Sequence, residues 1–165
     1  MSGSGLSGLP AAVVVASNRA AAGVYADTTG PLLRAFLEEL GATVGAPVVV
    51  PDGEPVGEAI AAAVRSGARA VLTTGGTGLT PTDRTPEVTR PLLDREIPGL
   101  AEAIRAAGVA KGVPTAMLSR GLAGLAGRCV VVNLPGSRGG VEDAIEVLRP
   151  VLPHAVEQAL GSDHR

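Results

Sequence analysis

Short aliphatic runs alternate with stretches of helical period along this chain. Residues 11–16, 48–50, 70–72 and 129–132 are continuously apolar and mostly Val-rich, the pattern of strands covered on both faces. Between them, residues 31–40 place Leu32, Leu33, Phe36, Leu37 and Leu40 on one stripe with Arg34, Glu38 and Glu39 opposite, and Gly41 follows as a stop. Residues 55–66 repeat the pattern with Val56, Ala59, Ile60, Ala63 and Val64, and residues 139–148 with Val141, Ala144, Ile145 and Leu148. Each of these predicts a helix. A further stripe over residues 92–107, with Ile97, Leu100, Ala103 and Ile104, reads as core or as a subunit contact. Strand alternating with helix predicts an α/β fold, a three-layer α/β/α sandwich with a mainly parallel sheet. Ligands bind such a sheet beyond the carboxyl ends of its strands, so Asn18, Pro51-Asp52, residues 74–83 and residues 133–137 should converge on one rim.

A chain of 165 residues is long enough for one core, burying roughly 70% of the unfolded surface. Its 45% hydrophobic content comes almost entirely from Ala, Val and Leu, with Tyr25 and Phe36 the only aromatic residues. Residues 1–9 repeat Ser and Gly and read as a disordered leader, which leaves 10–165 as a single domain. The net charge of -2 and the absence of adjacent Lys or Arg residues argue against a nucleic-acid partner. The apolar runs are too short to span a bilayer. With no secretory signal and one cysteine, Cys129, in an apolar run, a cytoplasmic location and a buried structural thiol are expected.

The segment Thr73-Thr74-Gly75-Gly76-Thr77-Gly78-Leu79-Thr80-Pro81-Thr82-Asp83 directly follows an apolar run. Three glycines in four residues let the backbone turn and aim several N–H groups into one concavity suited to an anion. Thr73, Thr74, Thr77 and Thr80 add hydroxyls, and Asp83 supplies a carboxylate for Mg²⁺ beside bound phosphates or, alternatively, a turn cap. Asp52, in Asp-Gly after a strand, divides between the same two roles. Thr85-Pro86-Glu87 predicts an N-cap followed by proline at the first helical position. Ser137 reads as a helix N-cap and as part of an anion site, roles that coexist. Arg120 is open between a phosphate partner and a solvated cation, and Tyr25 between ring stacking and plain surface. His154 and His164 make no metal pattern, no Cys/His spacing suggests zinc, and no Ser/His/Asp order suggests an acyl-transfer triad. This inventory favours phosphoryl or nucleotidyl transfer, in which carboxylates, Mg²⁺ and backbone N–H groups handle charge.

The run from Thr73 to Glu87 resembles the signature of the MoaB/Mog family of molybdenum cofactor biosynthesis proteins, which pairs Thr-Thr-Gly-Gly-Thr-Gly with Pro-x-Asp-x-Thr-Pro-Glu. Ser17-Asn18-Arg19 with residues 22–31, Val50-Pro51-Asp52, Leu118-Ser119-Arg120-Gly121 and Val132-Asn133-Leu134-Pro135-Gly136-Ser137 match further family segments in order, so the resemblance covers residues 11 to 160. It implies molybdopterin adenylyltransferase activity, with ATP and molybdopterin as substrates and pyrophosphate as product. Asp83 and Asp52 would be catalytic and hold Mg²⁺; Thr74, Gly75, Gly76, Thr77, Gly78, Ser119, Arg120, Pro135, Gly136 and Ser137 would bind substrate. It also implies a homotrimer and a separate protein for molybdate insertion. The sequence departs from the family pattern at Asn18, where Asp is frequent, at Thr82, where Arg is frequent, and at Arg138-Gly139, where Pro-Lys is usual. These departures leave a second reading, a MoaB-type paralogue that binds or carries molybdopterin without efficient turnover.

Overall fold

A computed structural model describes residues 6–161. Seven strands form one sheet: β1 (Pro10–Ala16), β2 (Thr43–Val44), β3 (Val48–Val50), β4 (Ala70–Thr74), β5 (Arg95–Glu96), β6 (Ala123–Ala126) and β7 (Cys129–Leu134). The helices are α1 (Asn18–Ala21), α2 (Thr29–Glu39), α3 (Glu54–Arg65), α4 (Thr85–Thr89), α5 (Pro98–Ala110), α6 (Arg138–Leu148) and α7 (Leu152–Ala159), with 3₁₀ turns at Arg90–Leu92 and Pro114–Leu118. The strand order is β2-β1-β4-β7-β6-β5, and β3 also pairs with β1. Strands β2, β3, β4 and β7 run parallel within their pairs; β6 and β5 extend the sheet antiparallel. Strands β2 and β3 share one neighbour, meeting Pro10 and Ala11, then Val14 to Ala16. The break between them contains Pro47, which has no N–H to give to a ladder.

Successive side chains of the central strands point to opposite faces, and both faces are buried. Val13 and Val15 of β1 join Leu72 of β4 and Val130 and Val132 of β7 in a core closed by Leu33 and Phe36 of α2, Ile104 of α5, Leu148 of α6 and Val156 of α7. Val14, Val71, Cys129 and Val131 form the core on the other face, under Val56 and Ile60 of α3 and Val88 of α4. Continuous apolar runs rather than alternating ones are what two covered faces require. The expected three-layer sandwich is therefore the architecture, and the helices over residues 31–40, 55–66 and 139–148 lie within a residue or two of their predicted bounds.

Two expectations fail. Leu6, within the segment read as a disordered leader, is fully buried in the α2-side core. It is fixed by hydrogen bonds from the Gly8 amide to the Gly41 carbonyl (2.9 Å) and from the Leu9 amide to the Leu6 carbonyl (3.0 Å). A single leucine with a core site outweighs the Ser/Gly composition around it, because its burial is worth about 1.5–3 kcal/mol. Residues 1–5 and His164 lie outside the described residues. The second failure is Thr85: α4 begins at Thr85 itself, so Arg84 occupies the cap position and no side chain caps the helix.

Candidate active site

The register of the parallel strands brings their carboxyl ends to one level. Val15 pairs with Thr74, Ala16 with Val50 and Thr74 with Leu134. The segments opening at Ser17, Pro51, Gly75 and Pro135 therefore leave the sheet side by side, as the sequence predicted. Helix α2 carries the chain from β1 to β2 and on to β3 over one face, and α3 carries it from β3 to β4 over the other. The strand order reverses there, which opens a crevice beyond β1 and β4.

The glycine loop fits that crevice for a steric reason. Gly75 has φ +92°, and a Cβ on it would run into the Ala16 carbonyl oxygen; one on Gly76, at φ +68°, would run into the Thr85 hydroxyl. Thr85 spends that hydroxyl on the Gly75 carbonyl (2.9 Å) instead of capping its own helix, and its amide bonds the Gly76 carbonyl (3.0 Å). The Thr74 hydroxyl donates to the Pro135 carbonyl (2.7 Å), and the Gly75 amide to the Leu134 carbonyl (3.1 Å), stitching the β4 and β7 loops together.

Two cavities open on this rim. One, of about 900 Å³, is lined by Thr77, Gly78, Ser119, Pro135 and Ser137, and also by Arg105, Lys111 and Asp143. The other, of about 400 Å³, is lined by Ser17, Asn18, Tyr25, Asp52, Thr74 and Gly75. Gly76, Asp83 and Gly136 border both. Eleven of the twelve residues selected from sequence therefore line one cavity or both. Arg120 does not. Its Nε donates to the Gly78 carbonyl (2.9 Å), Nη2 to the Asp83 carbonyl (2.9 Å), and Nη1 to Glu87 Oε2 (2.7 Å). Its side chain stays 36% exposed, but the guanidinium is held by these partners and lines neither cavity.

The two carboxylates sit differently. Asp83 Oδ2 accepts from the Thr80 amide (3.0 Å) and the Thr80 hydroxyl (2.8 Å), so the turn-cap role is real, and the carboxylate still borders both cavities. Asp52 Oδ1 is buried with no hydrogen-bond partner. Burial, and secondarily the negative charge of Asp83, pushes the Asp52 carboxyl above the usual carboxylate range. Its backbone is placed by Asn18, whose Oδ1 accepts the Asp52 amide (2.9 Å). A buried carboxylate oxygen with no partner, facing a second carboxylate, is a donor set suited to a small divalent cation. Among the described residues no group of three or more His, Cys, Asp or Glu residues could hold a metal. A cation here would complete its shell with substrate oxygens and water, the habit of Mg²⁺.

Ser137 has the extended backbone of an N-cap (φ -80°, ψ 148°), and its Oγ accepts the Gly140 amide at 3.1 Å, as expected. The start of α6 thus borders the larger cavity and adds favourable potential for an anion. Ser119 bridges to the glycine loop through the Thr77 hydroxyl (3.3 Å). The reading from sequence missed Arg105, whose Nη1 holds the Ser119 and Gly121 carbonyls (3.2 and 3.1 Å), and Lys111, paired with Asp143 (3.2 Å) and Glu146 (2.5 Å). Both sit on or just after a helix with nothing in their spacing to single them out. Burial pushes the Cys129 thiol up to about 12, which fits an inert core residue. No helix among the described residues is long and apolar enough to cross a membrane.

Residues 12–154 match the family described as "Probable molybdopterin binding domain". The chain is 40% identical over 160 residues to the molybdenum cofactor biosynthesis bifunctional protein of Synechococcus elongatus, a match covering 96% of this chain and 50% of that protein. It thus spans half the length of that relative. It is 38% identical over 140 residues to the molybdopterin adenylyltransferase of Haemophilus influenzae, covering 81% of this chain and 70% of the relative. A solved structure of MogA superposes with a TM-score of 0.88 at 55% identity, covering 91% of this chain and 99% of that one. With the fold, the glycine loop and the order of the rim segments already in agreement, these similarities show that the chain belongs to the MoaB/Mog family of molybdenum cofactor biosynthesis proteins.

Proposed function

We propose that this protein transfers the adenylyl group of ATP to the terminal phosphate of molybdopterin. A phosphate oxygen of the pterin bonds to the α-phosphorus of ATP as the bond to the β-phosphate oxygen breaks, and pyrophosphate leaves with that bond's electron pair. The observation that carries this reading is the meeting of two cavities at Gly76, Asp83 and Gly136. Two substrates seated one to a cavity bring their reacting phosphates to that shared border, where proximity lowers the barrier. The H. influenzae relative named molybdopterin adenylyltransferase supports the choice of substrates.

The attacking group needs no strong base, because a phosphate monoester with a second pKa of about 6 is largely dianionic at neutral pH. What the site must supply is neutralisation and alignment. The Gly75 amide is taken by Leu134, so the loop donors that face phosphate are those of Gly76, Thr77 and Gly78, joined by the start of α6. Asp52 and Asp83 would hold Mg²⁺, which when bound neutralises charge on the reacting phosphates. Asn18 keeps Asp52 in place through its backbone amide. Thr80 orients Asp83 by donating twice to one oxygen.

Anaerobic incubation with molybdopterin, ATP and Mg²⁺ tests the reading. Adenylylated pterin and pyrophosphate should form in equal amounts, and Asp83→Asn should reduce the rate by about 100-fold or more with the fold intact. Tight pterin binding without pyrophosphate release would make the protein a binding paralogue instead.

A further inference from the structure

We propose that Arg120, clamped by Glu87, is a positioning residue for Asp83: it fixes the loop carrying this carboxylate from behind. This rests on the proposed role of Asp83. The guanidinium lines neither cavity, yet it binds both ends of the segment from Gly78 to Asp83. Nε holds the Gly78 carbonyl and Nη2 the Asp83 carbonyl, each at 2.9 Å. The Arg120 amide adds a third tie, to the Thr77 carbonyl at 2.8 Å. Between these ties the chain is exposed: Leu79 is 65% accessible, and Thr80, Pro81 and Thr82 lie at the surface. The Thr80–Asp83 turn shapes that segment internally, but it is Arg120 that fastens it to the body of the protein.

Glu87 makes the clamp rigid. Its two carboxylate oxygens meet Nη1 at 2.7 Å and Nη2 at 3.2 Å, a bidentate pair that fixes the plane of the guanidinium. Glu87 sits on α4, whose first residue, Thr85, holds the Gly75 carbonyl. On the far side, Arg105 of α5 holds the carbonyls of Ser119 and Gly121, on either side of Arg120. The chain of contacts runs from α5 through the Ser119–Gly121 segment and Arg120 to the Asp83 backbone. The hydrogen bond from Arg120 holds the Glu87 carboxyl below the usual carboxylate range. Only a fork of donors in one plane can reach Gly78, Asp83 and Glu87 at once; a lysine ammonium, a single point charge, cannot.

The test compares wild type, Arg120→Lys, Glu87→Gln and Glu87→Asp, with Asp83→Asn as reference. Mn²⁺ affinity is read by electron paramagnetic resonance with and without ATP, and amide hydrogen exchange is followed in residues 77–83. Arg120→Lys, which keeps the charge, should weaken Mn²⁺ binding by about tenfold, the usual effect of losing a residue that orients a ligand. It should also speed exchange in residues 79–83 about tenfold or more while β4 and β7 stay protected. Glu87→Gln should do the same more weakly, and Glu87→Asp should recover part of the loss. Mn²⁺ affinity within twofold of wild type, with unchanged exchange in residues 79–83, would overturn the proposal. If wild type binds no Mn²⁺, the cation reading of Asp52 and Asp83 fails separately, and the exchange data alone decide whether Arg120 fixes the loop.

Discussion

Asp52 places a carboxylate where the fold gives one of its oxygens no partner. Its folded-state pKa lies above the unfolded value of 3.8, chiefly through burial and then through Asp83. The stability linked to the protonated form is therefore complete below that unfolded value and is lost as pH rises through the folded one. At neutral pH, without divalent cation, the ionised side chain costs stability. Asp52→Asn is thus predicted to melt above wild type at pH 7, with the gap closing as the pH falls below 3.8. Mg²⁺ should raise the melting temperature of wild type and barely move that of the variant. Thermal unfolding from acid to neutral pH, with and without Mg²⁺, measures both effects; equal wild-type and variant melting temperatures at pH 7 would rule out the strained carboxylate. From sequence, Asp52 was readable as a turn residue or a cation ligand, but not as a carboxylate facing Asp83, because that neighbour lies about thirty residues further along the chain.

At the level of elements, α6 obeys local rules and α4 does not. Ser137 caps α6 as its position before the apolar period suggests. Ser137→Ala should destabilise the protein by about 1 kcal/mol in urea unfolding. Ser137→Asp should restore that stability, since aspartate caps as well as serine, while weakening ATP binding by setting a negative charge on the cavity wall. Unweakened nucleotide binding in Ser137→Asp would remove the start of α6 from the anion site. Thr85 carries the same kind of signal but gives its hydroxyl to the Gly75 carbonyl, a partner ten residues away. A long-range hydrogen bond thus displaces a local one, and no local pattern could reveal that choice.

Across the whole molecule, two cores of small aliphatic side chains sandwich the sheet, with Phe36 the one aromatic ring in them. A core without bulky anchors depends on each leucine that reaches it. Leu6→Ala should therefore cost about 2–5 kcal/mol in chemical denaturation, the range for a fully buried leucine. A loss below about 0.5 kcal/mol, typical of surface changes, would return the segment to the role of leader.

The sequence by itself determined the layers, the mainly parallel sheet and the rim on which the candidate residues gather. Continuous apolar strands and amphipathic helices have periods that survive without any knowledge of partners, and parallel strands put all their carboxyl ends on one edge. The strand Ala123–Ala126 was not readable, since Ala-Gly-Leu-Ala has no β-branched or aromatic residue; it forms because β7 offers a neighbouring ladder. Only the tertiary structure decided that Asp52 lacks a partner, that two cavities share Asp83, and that Arg120 turns away from them to grip the loop. Each of these depends on contacts between residues thirty or more positions apart, whose distance and direction no local pattern along the chain encodes.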